Sequence, residues 1–216
     1  MLSSEVYQGD RPQAIFLDAV GTLFGVKGGV GAVYREVALK YGVDADADIL
    51  DRAFYHSFKH IETPMAFADT DPTILPLREY DWWEHLAHRT FQTAGMFDEF
   101  SNFADFFAEL YAHFATAAPW FIYPDVLPAL KHWHSQEIPL GVLSNFDTRL
   151  HPVLAALGLS EFFTSVTVST EVGVAKPHPK VFKVALEKHG CLPEQAWHIG
   201  DSFKEDYQGA IAVGIR

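Results

Sequence analysis

Residues 14–23 read AIFLDAVGTL, and this stretch decides the fold. It starts with an unbroken apolar run from Ala14 to Leu17 and continues with Asp18 and a turn that contains Gly21. A short apolar run of this kind predicts a strand that is buried on both faces, as in a parallel sheet. Asp18 then lies at the end of that strand, which is where open parallel sheets bind their ligands.

The chain after residue 119 alternates between strand and helix patterns. The predicted strands cover residues 138–143, 166–169 and 196–199, and the predicted helices cover residues 125–136, 148–157, 179–189 and 203–213. Alternation of this kind is typical of βαβ units that form a parallel sheet with right-handed crossovers. We therefore expect an α/β fold.

A long helical segment interrupts this pattern. Val33, Val37 and Tyr41 repeat at helical spacing, and similar patterns follow up to residue 115, among them a predicted helix over residues 82–95. Residues 62–76 contain three prolines and are interpreted as an ordered loop or lid. The segment is predicted to be an insertion after the first strand, so residues 1–25 and 119–216 form the α/β core and residues 26–118 a helical subdomain. The glycine-rich stretch 25–31 lacks the Gly-Lys-Ser/Thr of a nucleotide loop and is interpreted as a hinge.

The composition excludes several classes of protein. The 216 residues carry a net charge of −12 and a single cysteine, Cys191. These values argue against a disulfide scaffold and against general affinity for nucleic acid or anionic membranes. The polar segment from Met1 to Pro12 does not have the pattern of a signal peptide, and no apolar run approaches the ~18–20 residues that span a bilayer. We expect a soluble cytoplasmic protein.

Polar side chains lie where the predicted strands end. Asp18 follows the first strand, Ser144 and Asn145 the second, and Asp201 the last, while Lys176 lies in the loop after the third. The carboxyl ends of parallel strands meet at one edge of a sheet, so we expect these side chains to lie close together. Each residue alone is more often a turn or loop residue, but the ordered set favours a functional site.

These residue types suit chemistry at phosphorus or at an activated carbon. An aspartate can act as a nucleophile and form a covalent intermediate. Asp18 and Asp201 could share Mg²⁺, a cation that prefers oxygen ligands, and Asp206 follows five residues after Asp201. Ser144 and Lys176 would supply a hydroxyl donor and a positive charge to phosphoryl oxygens.

The motifs resemble those of the haloacid dehalogenase-like (HAD) hydrolase superfamily. The match covers nearly the whole chain and comprises FLDAVGTL at residues 16–23, Ser144-Asn145, Lys176-Pro177, and Gly200-Asp201-Ser202 with Asp206. The resemblance implies a Rossmann-like parallel sheet core with an inserted α-helical cap, as in capped subfamily I. The stretches EYDWW at 79–83 and RTF at 89–91 are similar to the rhythmically-expressed-gene-like branch.

The resemblance also implies roles for individual residues. Asp18 would be the nucleophile that becomes phosphorylated, with Ser144 and Lys176 as the other catalytic residues, which hold the phosphoryl group. Thr22, which would steady the first loop, and Asn145 would contribute to substrate binding. The implied Mg²⁺ ligands are Asp18, the backbone carbonyl of Val20, and Asp201, with Asp206 in support.

Val20 departs from the family pattern. Family phosphatases usually carry a second aspartate at this position as general acid and base, and valine cannot transfer a proton. Losing such a group typically costs on the order of 10²–10⁴ in rate, or about 3–5 kcal/mol of barrier. We therefore expect a weak Mg²⁺-dependent phosphatase of a small phosphorylated metabolite, most active on acyl or aryl phosphates.

Two alternatives remain open at this point. Dehalogenases of the superfamily also lack the second aspartate and use no metal, although they typically carry tyrosine at the position of Val20 and lack the acidic last motif. A catalytically silent protein that binds Mg²⁺ and phosphate is the other alternative. The sequence identifies neither the substrate nor the oligomeric state. Candidate substrate contacts are Tyr34, Arg35, Arg78, Trp82 and Trp83.

The end of the chain raises one further expectation. Arg216 directly follows the last predicted helix, whereas family cores usually continue with another strand. The resemblance therefore leads us to expect a shortened chain that lacks an edge strand.

Overall fold

The computed structural model describes residues 11–216, so most of the N-terminal segment that lacks a signal-peptide pattern lies outside the described residues. The strands are β1 (Ala14–Leu17), β2 (Phe24–Val26), β3 (Trp120–Ile122), β4 (Leu140–Ser144), β5 (Ser165–Val168) and β6 (Ala196–Ile199). The helices are α1 (Val30–Lys40), α2 (Ala47–Lys59), α3 (Leu75–Thr93), α4 (Phe103–His113), α5 (Val126–Ser135), α6 (Leu150–Ala156), α7 (Ser169–Val172), α8 (Pro179–His189) and α9 (Gly209–Ala212).

A parallel sheet forms the centre of the fold. Its strands lie in the order β5-β4-β1-β6, and every neighbouring pair is parallel. β1 has a neighbour on each side, and all four of its residues are buried. This explains why its sequence is an unbroken apolar run, and it confirms the predicted α/β fold with a parallel sheet.

Helices cover both faces of this sheet. Side chains alternate along a strand, so Ile15 and Leu17 of β1 pack with α5 and α6, whereas Ala14 and Phe16 pack with α8. The two faces therefore have separate apolar clusters. This arrangement fixes β1 in the middle of the molecule and brings the carboxyl ends of four strands to one edge.

Helices α1 to α4 form a third apolar cluster. It is rich in aromatic residues, and Phe91 and Phe106 at its centre are fully buried. α3 begins at Leu75, so the prediction of a helix that starts near residue 82 was wrong. Pro76 lies in the first turn of α3, where a missing N–H costs no helical hydrogen bond, and the proline therefore did not mark a loop.

A two-stranded antiparallel ribbon of β2 and β3 was not predicted from the sequence. Gly25, which we interpreted as part of a hinge, pairs with Phe121 across this ribbon. A Cβ atom at Gly25 would lie 2.8 Å from the Phe121 ring, so the glycine permits a close approach of the two strands. The predicted division of the chain, with limits at residues 25–26 and 118–119, falls at or beside this ribbon and stays a prediction.

The end of the chain also differs from expectation. The helix predicted over 203–213 is a wide π-helical turn, Phe203–Gln208, followed by the short helix α9. Wide turns of this type are frequent at functional sites. This turn carries Asp206, which is only 3% exposed.

No helix within residues 11–216 combines the length and the apolar composition that crossing a membrane requires.

Glu79 joins α3 to the edge of the sheet. Its carboxyl group is fully buried and accepts hydrogen bonds from the Thr148 backbone N–H at 3.0 Å, from the Thr170 hydroxyl at 2.5 Å and from the Thr148 hydroxyl. Thr148 follows β4, and Thr170 lies in α7 directly after β5. Burial raises the pKa of Glu79, and the hydrogen bonds offset part of that effect. Glu79 therefore ties the helical residues to the loops at the strand ends.

Replacing Glu79 with alanine should lower the free energy of unfolding by about 2–4 kcal/mol, because buried donors lose their acceptor. The matched control is Asp81→Ala on the exposed side of the same helix, for which we expect a change within about 0.5 kcal/mol. Urea unfolding of both variants provides the measurement. Equal midpoints for the two variants would contradict this account of Glu79.

Candidate active site

A buried lysine connects two of the predicted site residues. The ammonium group of Lys176 lies 2.7 Å from Oδ1 of Asp18 and 2.5 Å from Oδ1 of Asp206. Lys176 is 4% exposed. Burial alone would lower the pKa of this lysine, but the two carboxylates outweigh burial and raise it. Lys176 is therefore a fixed positive charge beside the end of β1.

Asp206 is held by more than the lysine. Its Oδ1 is also 2.8 Å from Nε2 of His198, and its Oδ2 accepts the Ser202 backbone N–H at 3.0 Å. Although burial opposes ionisation, these hydrogen bonds and the charge of Lys176 hold the pKa of Asp206 well below its usual range. Our sequence reasoning missed His198. A histidine within an otherwise apolar strand was the signal that could have identified it.

Asp201 lies against the turn after β1. Gly21 in that turn has a φ of +92°, and a Cβ atom there would lie 2.5 Å from Oδ2 of Asp201. Glycine is thus required both for the backbone conformation and for the space that the carboxylate occupies. Partial burial and the charge of Asp18 raise the pKa of Asp201. The last loop therefore places a second carboxylate beside Asp18, as the sequence predicted.

The acidic residues fit a divalent cation. Asp18, Asp201 and Asp206 each offer one carboxylate oxygen, and these atoms lie within 4.8 Å of one another. Three carboxylates around one lysine leave excess negative charge, and hard oxygen ligands suit Mg²⁺. Asp206, however, already accepts hydrogen bonds through both of its oxygens, and one of these bonds comes from Lys176. Its supporting role at a metal stays a prediction.

Asn145 holds the loop that carries Lys176. Its Oδ1 accepts the backbone N–H of Lys176 at 2.7 Å, and its Nδ2 donates to the Lys176 carbonyl at 3.0 Å. Nδ2 also donates to Oε2 of Glu205 at 3.1 Å. Burial raises the pKa of Glu205, a residue that sequence reasoning overlooked although it directly precedes Asp206. The amide of Asn145 therefore positions the backbone of Lys176. A contact between Asn145 and substrate stays a prediction.

The remaining predicted residues lie at the same edge without joining this network. Ser144 ends β4 and is 3% exposed, but its hydroxyl makes no hydrogen bond to a residue within 11–216. The hydroxyl of Thr22 is buried and also lacks a partner in the described part of the chain. Val20 is half-buried. The structure thus brings the charged residues together, while the roles of these three stay predictions.

An apolar cavity of about 230 Å³ adjoins the charged residues. Val20 and Asn145 belong to its wall, and most of the other lining residues are aromatic or aliphatic. Of the residues suggested as substrate contacts, Tyr34 and Trp83 line this cavity. Arg78 and Trp82 line a separate surface groove, and Arg35 is exposed and pairs with Asp44.

Arg149 is the charged residue in the cavity wall, and sequence reasoning missed it. Its Nε and Nη2 donate to the two carboxylate oxygens of Asp147 at 3.0 and 2.6 Å. Trp83 donates its indole N–H to the same carboxylate at 2.5 Å. The guanidinium carbon lies 3.8 Å from the centre of the Tyr111 ring. The signal in the sequence was the polar run after Asn145, which continues through Asp147 to Arg149.

The match to a family model agrees with this geometry. Residues 12–214 match the model of the haloacid dehalogenase-like hydrolases. The chain belongs to this family. The HAD-like hydrolase is 32% identical over 201 residues to haloacid dehalogenase-like hydrolase domain-containing protein 3 of Bos taurus, a match covering 92% of this chain and 77% of that protein. It is 29% identical over 213 residues to Rhythmically expressed gene 2 protein of Drosophila melanogaster, covering 94% and 81%. These relatives confirm the predicted branch.

Solved structures share the fold of this HAD-like hydrolase. A HAD phosphatase from Thermococcus onnurineus superposes with a TM-score of 0.62 at 22% identity, covering 94% of this chain and 83% of that one. L-2-haloacid dehalogenase from Xanthobacter autotrophicus gives a TM-score of 0.67 at 20% identity, covering 94% and 75%. Proteins named for two different reactions have the same fold, so only the side chains of the site can distinguish between them.

Gly21 provides a test of the candidate metal site in this HAD-like hydrolase. Gly21→Ala should weaken Mg²⁺ binding by about tenfold or more, because the new methyl group displaces the Asp201 carboxylate. Gly42→Ala is the matched control, since Gly42 has a φ of +82° but a Cβ atom there would meet no heavy atom within 4 Å. Titration calorimetry with Mg²⁺ compares the two variants. Equal Mg²⁺ affinities would contradict the placement of Asp201 at the ion.

Proposed function

We propose that this HAD-like hydrolase is a slow Mg²⁺-dependent phosphatase that acts on a small phosphorylated molecule through an aspartyl phosphate on Asp18. One observation carries the proposal. Lys176 lies 2.7 Å from Asp18 and 2.5 Å from Asp206, with Asp201 close by. A carboxylate nucleophile, a fixed positive charge and a cluster of oxygen ligands are the groups that phosphoryl transfer requires.

The first step transfers the phosphoryl group to Asp18. A carboxylate oxygen of Asp18 forms a bond to phosphorus, and the bond from phosphorus to the leaving oxygen breaks with its electron pair. Lys176 stabilises the negative charge on the phosphoryl oxygens, and the Ser144 hydroxyl donates a hydrogen bond to them. Asn145 keeps Lys176 in place through the backbone of the lysine.

The second step returns Asp18 to its starting state. Water attacks the phosphorus of the aspartyl phosphate, which releases inorganic phosphate and the carboxylate. The proposed ligands of Mg²⁺ are Asp18, the carbonyl of Val20, and Asp201, with Asp206 in support. When bound, the ion supplies positive charge that offsets the negative charge of the phosphoryl group.

Val20 limits both steps. Its side chain cannot protonate a leaving group, so substrates whose leaving group departs as a stable anion react best. It also cannot take a proton from the attacking water, so hydrolysis of the aspartyl phosphate is slow. General acid–base catalysis contributes about 10²–10⁴ in rate, which sets the size of the expected deficit.

A 2-haloacid dehalogenase remains the second candidate because such enzymes also lack the aspartate that Val20 replaces. The acidic residues around Asp18 favour phosphoryl chemistry instead, since displacing halide from carbon needs no metal. The charge of Arg149, the cation in the cavity wall, is already matched by Asp147 and is not free for a haloacid carboxylate. Release of chloride from a 2-haloacid in the presence of a chelator would reverse this preference.

The proposed partner is a small molecule. A net charge of −12 disfavours nucleic acid and anionic membranes as partners. The single cysteine supports a cytoplasmic location, because it cannot form the intramolecular disulfide bonds that are typical of proteins in oxidising compartments.

Acetyl phosphate and 4-nitrophenyl phosphate should both be hydrolysed with Mg²⁺, and a chelator should abolish the reaction. Asp18→Asn should lower kcat by about 10³-fold or more, because it removes the nucleophile. Since the second step is slow, rapid mixing should show a burst of close to one nitrophenolate per active site. Binding of phosphate and Mg²⁺ without turnover would instead identify a catalytically silent protein.

Val20→Asp should raise the steady-state turnover of both substrates by about 10²–10⁴, because it supplies the missing acid and base. Val20→Asn is the matched control, since asparagine has nearly the same shape as aspartate but transfers no proton. Steady-state release of phosphate gives the comparison. If both variants gain equally, polarity at this position rather than proton transfer limits the rate.

A further inference from the structure

The cavity beside the charged residues is placed to receive the part of the substrate that leaves. Val20, two residues after Asp18, and Asn145, which holds Lys176, both belong to its wall. Helices α1 to α4 also contribute to the lining, with Tyr34 of α1, Phe54 of α2 and Phe107 of α4. The cavity is therefore close to the position at which a phosphoryl group on Asp18 would carry its leaving group.

The cavity offers no unpaired charge among residues 11–216. Both carboxylate oxygens of Asp147 accept hydrogen bonds from Arg149, and the guanidinium also lies on the Tyr111 ring. Burial raises the pKa of Tyr34 and of Tyr111, so both hydroxyls are neutral near pH 7. A ligand group with its own charge would lose hydration here without gaining a partner, so the cavity disfavours charged groups.

The size and the walls of the cavity suit an aromatic ring. An apolar cavity of about 150 Å³ is large enough to bind benzene, and this one measures about 230 Å³. Many of its lining residues are aromatic, and contacts between aromatic rings add to the free energy gained from burial. Tyr55 and Phe58, which are 57% and 46% exposed, form its solvent side.

We propose that this cavity binds the uncharged aromatic ring of the leaving group, while the oxygen that takes up the negative charge stays at the phosphoryl end of the site, so that the substrates are aryl phosphates or aromatic acyl phosphates. The inference rests on the proposed function, because it places the phosphoryl group at Asp18. It also accounts for Val20. A phenolate or an aromatic carboxylate leaves without a proton, and a valine side chain adds to the apolar wall where an aspartate would carry charge.

Binding of three phosphonates to the Mg²⁺-supplemented protein tests the proposal without requiring turnover. Phenylphosphonate, methylphosphonate and phosphonoacetate share the phosphoryl end and carry a ring, a methyl group or a carboxylate. Burial of the ring should make phenylphosphonate bind at least about tenfold tighter than methylphosphonate in titration calorimetry. Phosphonoacetate should bind no tighter than methylphosphonate. Equal affinity of the phenyl and methyl compounds, or tightest binding of phosphonoacetate, would overturn the proposal.

A pair of phenylalanine variants assigns the preference to the cavity. Phe58→Ala should reduce the ratio of phenyl to methyl affinity by about threefold or more, because Phe58 lines the cavity. Phe121→Ala is the matched control, since Phe121 is 39% exposed and lies on β3 outside the cavity. An unchanged ratio in Phe58→Ala would place the bound ring elsewhere and overturn the proposal.

Hydrolysis distinguishes failure of this inference from failure of the proposed function. Benzoyl phosphate and acetyl phosphate have leaving groups of similar acidity, so a higher kcat/KM for benzoyl phosphate reports on the ring. Turnover of both substrates at equal kcat/KM would support the proposed phosphatase activity and contradict binding of an aromatic ring in the cavity. Tighter binding of phenylphosphonate without turnover of either substrate would support ring binding in the cavity and contradict the proposed phosphatase activity.

Discussion

The buried ammonium group of Lys176, held between Asp18 and Asp206, is the interaction on which the site depends. Asp18 directly follows β1, and Asp206 lies in the π-helical turn after β6, the neighbouring strand. A lysine buried with only one carboxylate would be poorly compensated for its lost hydration, and two carboxylates without the lysine would repel each other. The lysine therefore attracts both carboxylates, and its two contacts connect the segments that follow β1 and β6.

Much of the surrounding structure supports this arrangement. Asn145 holds the lysine loop by its backbone, and His198 and Ser202 hold Asp206. Gly21 leaves the space in which Asp201 approaches. On the other side, the apolar cavity excludes charge from the region next to Val20. A strongly polar region and an apolar cavity thus lie side by side next to Asp18, which is the arrangement that the proposed aryl and aromatic acyl phosphate substrates require.

The predicted helices and strands were correct where the local sequence pattern and the tertiary environment agree. The bounds of β1, β6 and α8 agree with their predictions. β1 is buried on both faces and is therefore apolar throughout, and a proline and a glycine mark the two ends of α8. The ribbon of β2 and β3 was missed because three-residue strands have no readable period. The start of α3 was missed because Pro76 resembled a loop signal although prolines are tolerated in a first turn.

The sequence by itself determined the parallel sheet, the family and the order of charged residues along the strand ends, because these depend on spacing along the chain. Only the tertiary structure decided that Asp206 contacts Lys176 and His198, that Asn145 supports the lysine loop, and that Arg149 is paired within an apolar cavity. The contacts of Lys176 with Asp206 and Asn145 join residues about 30 positions apart in the chain through hydrogen bonds of about 3 Å. Contacts of that length depend on how the helices and loops pack, which no local pattern encodes.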